Sequence, residues 1–461
     1  ADPDSHDRTG DVALVVAAKY GHADIIQKLL NLKANIDTYG KQALEAAMRE
    51  KRHEAVRCLL HAGVAVPSAG DLLATYKSAA GSSVTNFKYA GCCMGPDGKV
   101  YCAAFDAPNV CVIDTHTGDV NFLDGAGDGD RKWFGICLSS VDGKLYCAPH
   151  HSPRVLVINP AADRDAKKIE FIDLPNAEAK RERKYMAICE GPDKKLYCPP
   201  RHAHQILVID PATSSVDYIP LHDVSEDKPF KYAGIARGPD DKLYCSPSHA
   251  SHVMVIDTKT RELSYITSPK LGPEVFKFSG ICLGPGGKLY CAPFGALRVM
   301  VVDPVEQSLS FIGQLQSGTI CMYSSICCGP DDTLFLSPEN APNIMVLRPQ
   351  KNEMEFIRST RLEESSKYVG ICYDSRSKKL YCSAFNNSSL MIVDPRPVLE
   401  VAREYGGDSL VKAFKQSECD ARHPNHDRVK ALSATTGSPH SIPARRREDS
   451  ASSARERSIS A

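Results

Sequence analysis

Six lysines stand at the same point of a recurring unit, each just ahead of a short apolar strand: Lys88, Lys132, Lys184, Lys231, Lys277 and Lys367, with Met322 in the remaining copy. An aromatic residue follows each position, at Tyr89, Trp133, Tyr185, Tyr232, Phe278, Tyr323 and Tyr368. Six ammonium groups at one opening would focus a positive potential even though the formal net charge is +0. Such a ring suits an anionic small molecule or an acidic peptide. A second lysine column, at Lys99, Lys144, Lys195, Lys242, Lys288 and Lys379, stands at the other end of the same hairpin, as lysines that merely solvate strand ends do. A third column reads Asp106, His151, His202, His249, Gly295, Asn340 and Asn386. His151, His202 and His249 offer nitrogen ligands for a divalent metal. A polar rim is the plainer reading, because successive copies fan apart.

What positions these columns is the unit KFSGICLGPGGKLYCAP at residues 277 to 293, which returns through most of the chain. Its marker aromatic falls at Tyr101, Tyr146, Tyr197, Tyr244, Tyr290, Phe335 and Tyr381, seven copies at steps of 45 to 51 residues. A period of that length belongs to propeller blades. Each copy parses into four strands, in the fifth Phe278 to Leu283, Lys288 to Ala292, Val299 to Asp303 and Leu309 to Ile312. Apolar residues on both faces of the middle strands fit blades packed between two others. The loops before strand one and after strand two then share one axial mouth, which gathers the lysine, aromatic and histidine columns.

Residues 10 to 66 are periodic in the helical sense. Leu14, Ala17, Ala18, Ile25, Ile26, Leu29 and Leu30 flank Gly21-His22, and Leu44, Ala47, Ala55, Val56, Leu59 and Leu60 repeat the scheme about 30 residues later. The Gly-His turn and paired leucines resemble the ankyrin repeat, here in two copies, which implies a surface for protein partners and no chemistry of its own. Two repeats bury little alone, so further repeats upstream, missing from a chain that begins without methionine, or docking on the propeller are expected.

The domain reading is an ankyrin segment at 1–66, a linker at 67–87 with a strand that closes the propeller, a seven-bladed all-β propeller at 88–402, and a disordered tail at 403–461 rich in Ser, Arg and Ala. Arg445-Arg446-Arg447 in that tail reads as a nuclear-import or kinase signal, or more plainly as part of a solvated tail.

Acidic and basic residues are equal at 56 each, so no overall field favours nucleic acid, and no apolar run reaches membrane-spanning length. Most of the 18 cysteines follow the repeat, as Cys102, Cys147, Cys198, Cys245, Cys291 and Cys382 after the tyrosine, and as Cys93, Cys137, Cys189, Cys282, Cys327 and Cys372 before the turn. The turn Gly95-Pro96-Asp97-Gly98 sets Cys93 opposite Tyr101 rather than Cys102, which leaves the cysteines as small buried hydrophobes and implies a reducing compartment, cytoplasmic or nuclear.

The pattern Gly-Ile-x-x-Gly-Pro-Asp-Gly-x-Leu-Tyr, with an apolar strand ending in Asp-Pro, resembles NHL and YncE-like propellers and those of streptogramin lyases and gluconolactonases. The resemblance implies the fold over residues 84 to 400 and leaves function open, since that fold hosts lyases, lactonases and binders. Gluconolactonase-like members hold a divalent cation with Glu, Asn and Asp. Streptogramin lyases carry an acidic residue just after strand two, where this chain has Ala104, Pro149, Pro200, Pro247, Pro293, Pro338 and Ala384. The reading is therefore a scaffold without a cofactor, joining ankyrin and propeller recognition surfaces for protein partners. The alternative is a metal-dependent lactonase- or lyase-like enzyme at the channel mouth.

Overall fold

The computed structural model describes residues 3–6, 11–66, 73–79, 86–162, 168–221, 229–272, 275–315, 321–358, 362, 366–396 and 398–422. Most of the expected linker, at 67–72 and 80–85, and the expected tail from 423 onward lie outside the described residues.

Four helices open the chain: α1 (Ala13–Tyr20), α2 (Ala23–Asn31), α3 (Ile36–Arg49) and α4 (His53–His61). Gly21 ends α1 at φ 79°, where a residue without a Cβ costs nothing, and its N–H returns to the helix carbonyls. Asn35 starts α3 by accepting a hydrogen bond from the Thr38 N–H. Leu14, Ala17, Ala18, Ile26, Leu44, Ala47, Val56 and Leu59 form the core of the two helix pairs.

Seven four-stranded antiparallel sheets follow, six of them from consecutive strands. The first blade comprises Tyr89–Met94, Lys99–Ala104, Asn109–Asp114 and Val120–Asp124, and the fifth Phe278–Leu283, Leu289–Pro293, Val299–Asp303 and Ser308–Ile312. The seventh takes its outer strand from the other end of the propeller, with Ala74–Ser78 pairing antiparallel to Ser389–Val393. This joins both ends of the propeller in one blade and leaves no unpaired edge there.

The repeated motif has a local cause. Tyr101 donates its hydroxyl to Asp97 Oδ2 at 2.8 Å, and Tyr146, Tyr197 and Tyr244 do the same to Asp142, Asp193 and Asp240. A Cβ on Gly95 would come within 2.7 Å of the Tyr101 ring, so glycine is required under the tyrosine. At the other end of the hairpin lysines pair with the aspartate closing strand three, Lys195 with Asp210 at 3.2 Å and Lys288 with Asp303 at 3.0 Å. The register sets Cys93 against Tyr101 and Cys137 against Tyr146, and Cys102, Cys147, Cys198, Cys245 and Cys291 are fully buried. Every cysteine whose side chain is described is a free thiol.

Residues 403–422 depart from the expected tail. A helix spans Val398–Arg422, broken at Gly407 (φ 63°, ψ −163°). Val401, Ala402, Leu410, Val411 and Phe414 bury themselves in a core that also contains Val56 and Leu59 of the ankyrin helices and Ile371 and Met391 of blade seven. The polar composition of the whole C-terminal stretch conceals this local apolar stripe. Lys51 pairs with Glu404 at 2.5 Å, and His53 Nε2 lies 2.9 Å from the Glu404 carbonyl. The last ankyrin helix is thus covered by the far end of the chain.

Candidate functional site: a funnel at one axial mouth

Strand one of each blade lies nearest the axis. A Cβ on Gly91 would stand 2.9 Å from the Phe134 carbonyl oxygen, and one on Gly370 would stand 2.7 Å from the Cys92 nitrogen, so neighbouring strands approach closely here. In several blades the ladder slips beside this position, between Tyr89 and Cys92 and between Trp133 and Ile136. The waist so formed encloses only about 150 Å³.

The lysine ring is not at the mouth as expected. Lys88, Lys132, Lys184, Lys231, Lys277 and Lys367 are all buried, between 0% and 5% exposed. Lys132 Nζ donates to the carbonyls of Ala107 and Gly129, each at 2.9 Å, and Lys184 Nζ to those of His151 at 3.2 Å and Arg181 at 2.7 Å. Burial pulls the Lys132 and Lys184 ammonium groups down to about 8. Long side chains turned inward satisfy loop carbonyls that would otherwise be orphaned. The aromatic column is also interior: Tyr89, Trp133, Tyr185, Tyr232, Phe278, Tyr323 and Tyr368 are all buried between blades. Tyr89 donates to Asn109 Oδ1 at 2.7 Å, Trp133 Nε1 to the Arg154 carbonyl at 2.8 Å, and the Tyr232 hydroxyl lies 2.8 Å from His252 Nε2.

The third column fastens each blade to the next. Asp106, Asn340 and Asn386 accept from the backbone N–H of Arg131, Ser366 and Phe87. Those three donors all have positive φ, of 50° to 54°. His151 stacks on His150 at 5.0 Å, His202 packs edge-on to Phe230 at 4.4 Å and His249 edge-on to Phe276 at 4.4 Å. Burial lowers all three imidazoles, His202 to about 4. Among the described residues no three His, Cys, Asp or Glu side chains come together as metal ligands. The histidine trio does not fit the cation that the gluconolactonase resemblance implies.

The residues directly after strand two stand one place earlier, at Phe105, His150, Arg201, Ser248, Phe294, Glu339 and Phe385, and all of them but Ser248 line the mouth. Each is held at both ends by backbone. The His150 N–H donates to the Lys132 carbonyl at 2.8 Å while its own carbonyl accepts from the Lys184 N–H at 2.9 Å, and Arg201 does likewise with Lys184 and Lys231. The same pattern carries Glu339, between Met322 and Lys367. The lysine positions therefore act through their main chain, fixing a ring of side chains above the waist.

Six members of that ring, with Phe87, Arg131 and Arg183 just ahead of the lysines and Phe134, Met186 and Val369 just beyond the aromatic column, enclose a funnel of about 180 Å³. One wall is aromatic, with Phe87 and Phe385 at 5.0 Å, Phe105 and Phe385 at 5.4 Å, and Phe105 and Phe134 at 5.4 Å, the first and last of these pairs edge-to-face. Arg131, Arg183 and Arg201 form a basic arc, and Glu339 is the carboxylate in the lining. Arg201 lies 4.8 Å and Arg183 5.8 Å from the Phe230 ring centroid. Burial, then the charge of Arg183, brings the Arg201 guanidinium down to about 10. Burial lifts the Glu339 carboxyl to about 7, against a Ser324 hydrogen bond and the charges of Arg201 and Lys367. His150 is 3% exposed, and burial drives its imidazole well below the usual histidine range. Neither of its ring nitrogens, nor Arg201 Nε, has a hydrogen-bond partner among the described residues.

Pro338 is the last residue of strand two in the sixth blade, and the residue directly after that strand is Glu339. The signal was legible in the residue that follows strand two of each blade, where Phe105, Phe294 and Phe385 recur and His150, Arg201, Ser248 and Glu339 break the pattern.

With this geometry in hand, the comparisons with known proteins divide by domain. Residues 1–68 match the ankyrin-repeat family, described as three copies. The N-terminal segment is built of ankyrin repeats. The sequence reading counts two repeats where the family model counts three, and the described residues form two helix pairs. No curated protein matches the chain. Among solved structures, virginiamycin B lyase from Staphylococcus aureus is 16% identical with a TM-score of 0.57, covering 69% of this chain and 98% of that one. A streptogramin B lyase is 14% identical with a TM-score of 0.57, covering 69% and 96%. Hydrazine synthase from Kuenenia stuttgartiensis is 12% identical with a TM-score of 0.50, covering 69% and 99%. At such identities the likeness is one of fold: the propeller shares its architecture with these proteins.

Proposed function

We propose that this chain is a recognition protein whose propeller takes an anionic ligand or acidic segment in the axial funnel, while the ankyrin repeats offer a second surface to a protein partner. The observation that carries the reading is the basic arc of Arg131, Arg183 and Arg201 over a phenylalanine wall, with Glu339 as the carboxylate in the lining. Half-buried guanidinium groups, one of them with an enclosed Nε that has no hydrogen-bond partner, attract an anion, and the aromatic wall adds desolvated contact area. The expectation of an anion at this mouth is kept, with arginines in place of the lysines. The core shared by ankyrin helices, C-terminal helix and blade seven supports two surfaces held in fixed relation, so both can engage one complex. Free buried thiols support a reducing compartment, cytoplasmic or nuclear. Among the described residues no helix is long and apolar enough to cross a membrane.

The test is thermal stabilisation of the full chain by a panel of organic acids and acidic peptides against their neutral amides, repeated with Arg183→Met/Arg201→Met. Acid-dependent stabilisation lost in the variant supports the reading. Equal responses to acids and amides refute it.

A second reading, an acid–base enzyme at the same mouth, is favoured by one observation: Glu339 has a carboxyl lifted to about 7 in a funnel shared with the buried His150. Lyases share this fold, which makes ester and lactone substrates the first to try. Turnover abolished by Glu339→Gln would establish it, and the absence of turnover across those substrates would leave recognition.

A further inference from the structure

The funnel's dimensions and polarity narrow what it can hold, on the reading that it is the binding site. About 180 Å³ is close to the roughly 150 Å³ cavity that accommodates benzene, so one ring with a short substituent fits and a nucleotide does not. Phe105, Phe134 and Phe385 present faces and edges spaced for another ring to join them. At the polar end Arg201 has an Nε without a partner, and Arg183 stands beside it over the same Phe230 ring. Arg201 is half-buried, with Nη1 on the Met186 sulfur at 2.8 Å and only its Nε enclosed without an acceptor, and a carboxylate gives a guanidinium two acceptors in one plane. His150 lies 5.5 Å from Phe105 and 5.9 Å from Phe134, ring centroid to ring centroid, with both nitrogens unpartnered, so it too awaits a polar atom. Glu339 shares the funnel with this end and would repel a second negative charge, which favours a monoanion over a phosphate dianion.

We propose that the funnel binds an aromatic monocarboxylic acid, its carboxylate on Arg201 and Arg183, its ring among Phe105, Phe134 and Phe385, and its polar substituent within reach of His150. Arg201, Arg183 and His150 discriminate by charge and hydrogen bonding, and the phenylalanines by shape. A matched alcohol leaves the guanidinium uncompensated, and an aliphatic acid leaves the ring slot open.

The experiment is calorimetric titration of the full chain with phenylpropanoate, and with phenylpropanol, propanoate and inorganic phosphate as comparators. Saturable binding of one phenylpropanoate is expected, with each comparator at least about tenfold weaker. Arg201→Met should cost at least about tenfold at a melting temperature no lower than that of the wild type, and Phe105→Ala should weaken phenylpropanoate while sparing propanoate. Phosphate binding as tightly as phenylpropanoate, or undiminished binding to Arg201→Met, overturns the proposal. If larger acids stabilise the wild type through Arg201 while phenylpropanoate does not bind, the ligand class falls and funnel recognition stands. If no acid binds, both fall.

Discussion

Arg201 and Glu339 occupy the same position of the repeat, in blades three and six, and stand in one funnel where each biases the other's ionisation. Their main chains are fixed identically, each N–H donating within its own blade and each carbonyl accepting from the next. Only the side chains differ, so the asymmetry of the mouth is written in this column and in the one before the lysines that supplies Arg131 and Arg183.

Glu339 gives a pH prediction. Its folded carboxyl is raised to about 7, above the ordinary glutamate value. Between those values the folded state holds a proton that the unfolded state has released, so stability falls as pH rises and the penalty is complete above about 7. Arg201, Lys367 and the Cys321 thiol face this carboxyl. Glu339→Gln should stabilise the protein at pH 8 by roughly 1–2 kcal/mol and do little at pH 5, as read by denaturant titration at the two pH values. Equal effects at both would show that the carboxyl titrates normally.

The same group should couple binding to protons. A ligand anion close to Glu339 disfavours its ionised form, so affinity for the acid should rise as pH falls from 8 to 6, and Glu339→Gln should flatten that dependence. Calorimetry in two buffers of different ionisation enthalpy measures the proton uptake directly.

Lys184 tests whether the lysine column is structural. Its ammonium group bridges the carbonyls of His151 and Arg181 inside the protein. Lys184→Met keeps most of the volume and orphans both acceptors, which should cost about 2–4 kcal/mol while leaving the funnel chemistry in place. A variant of native stability that lost only ligand binding would return Lys184 to the mouth.

The C-terminal helix should be required by the ankyrin segment. Leu410 is fully buried in the core it shares with Val56 and Leu59. Leu410→Ala should cost about 2–4 kcal/mol, and hydrogen exchange should quicken first in α3 and α4. Exchange confined to the C-terminal helix itself would mean that the repeats stand alone.

Tyr197→Phe removes a hydroxyl donated to Asp193 at 2.8 Å and should cost about 1 kcal/mol. Tyr290→Phe should cost less, because its hydroxyl reaches the Pro285 carbonyl at 3.3 Å. Melting temperatures of the two variants would rank them.

Much of this architecture was legible in residues 88 to 394, because period, turn chemistry and strand alternation are local properties. Gly-Pro-Asp-Gly fixes a turn, the turn fixes the register, and the register decided that Cys93 faces Tyr101. The helix pairs were readable for the same reason, from spacing and the Gly21 terminus. What the sequence could not decide is which side of a tightly wound loop meets the axis. Lys184, His151 and Arg201 lie near one another in the fold, yet the lysine is interior, the histidine packs at the seam between blades and the arginine enters the funnel. That choice depends on the positive φ at Arg183 and on backbone hydrogen bonds between neighbouring blades, and both exist only once the ring has closed. The capping of α4 by Leu410 and Val411 is likewise invisible along the chain, since the hydrophobic stripe that calls for a partner and the one that answers it are some 350 residues apart and pair only in space.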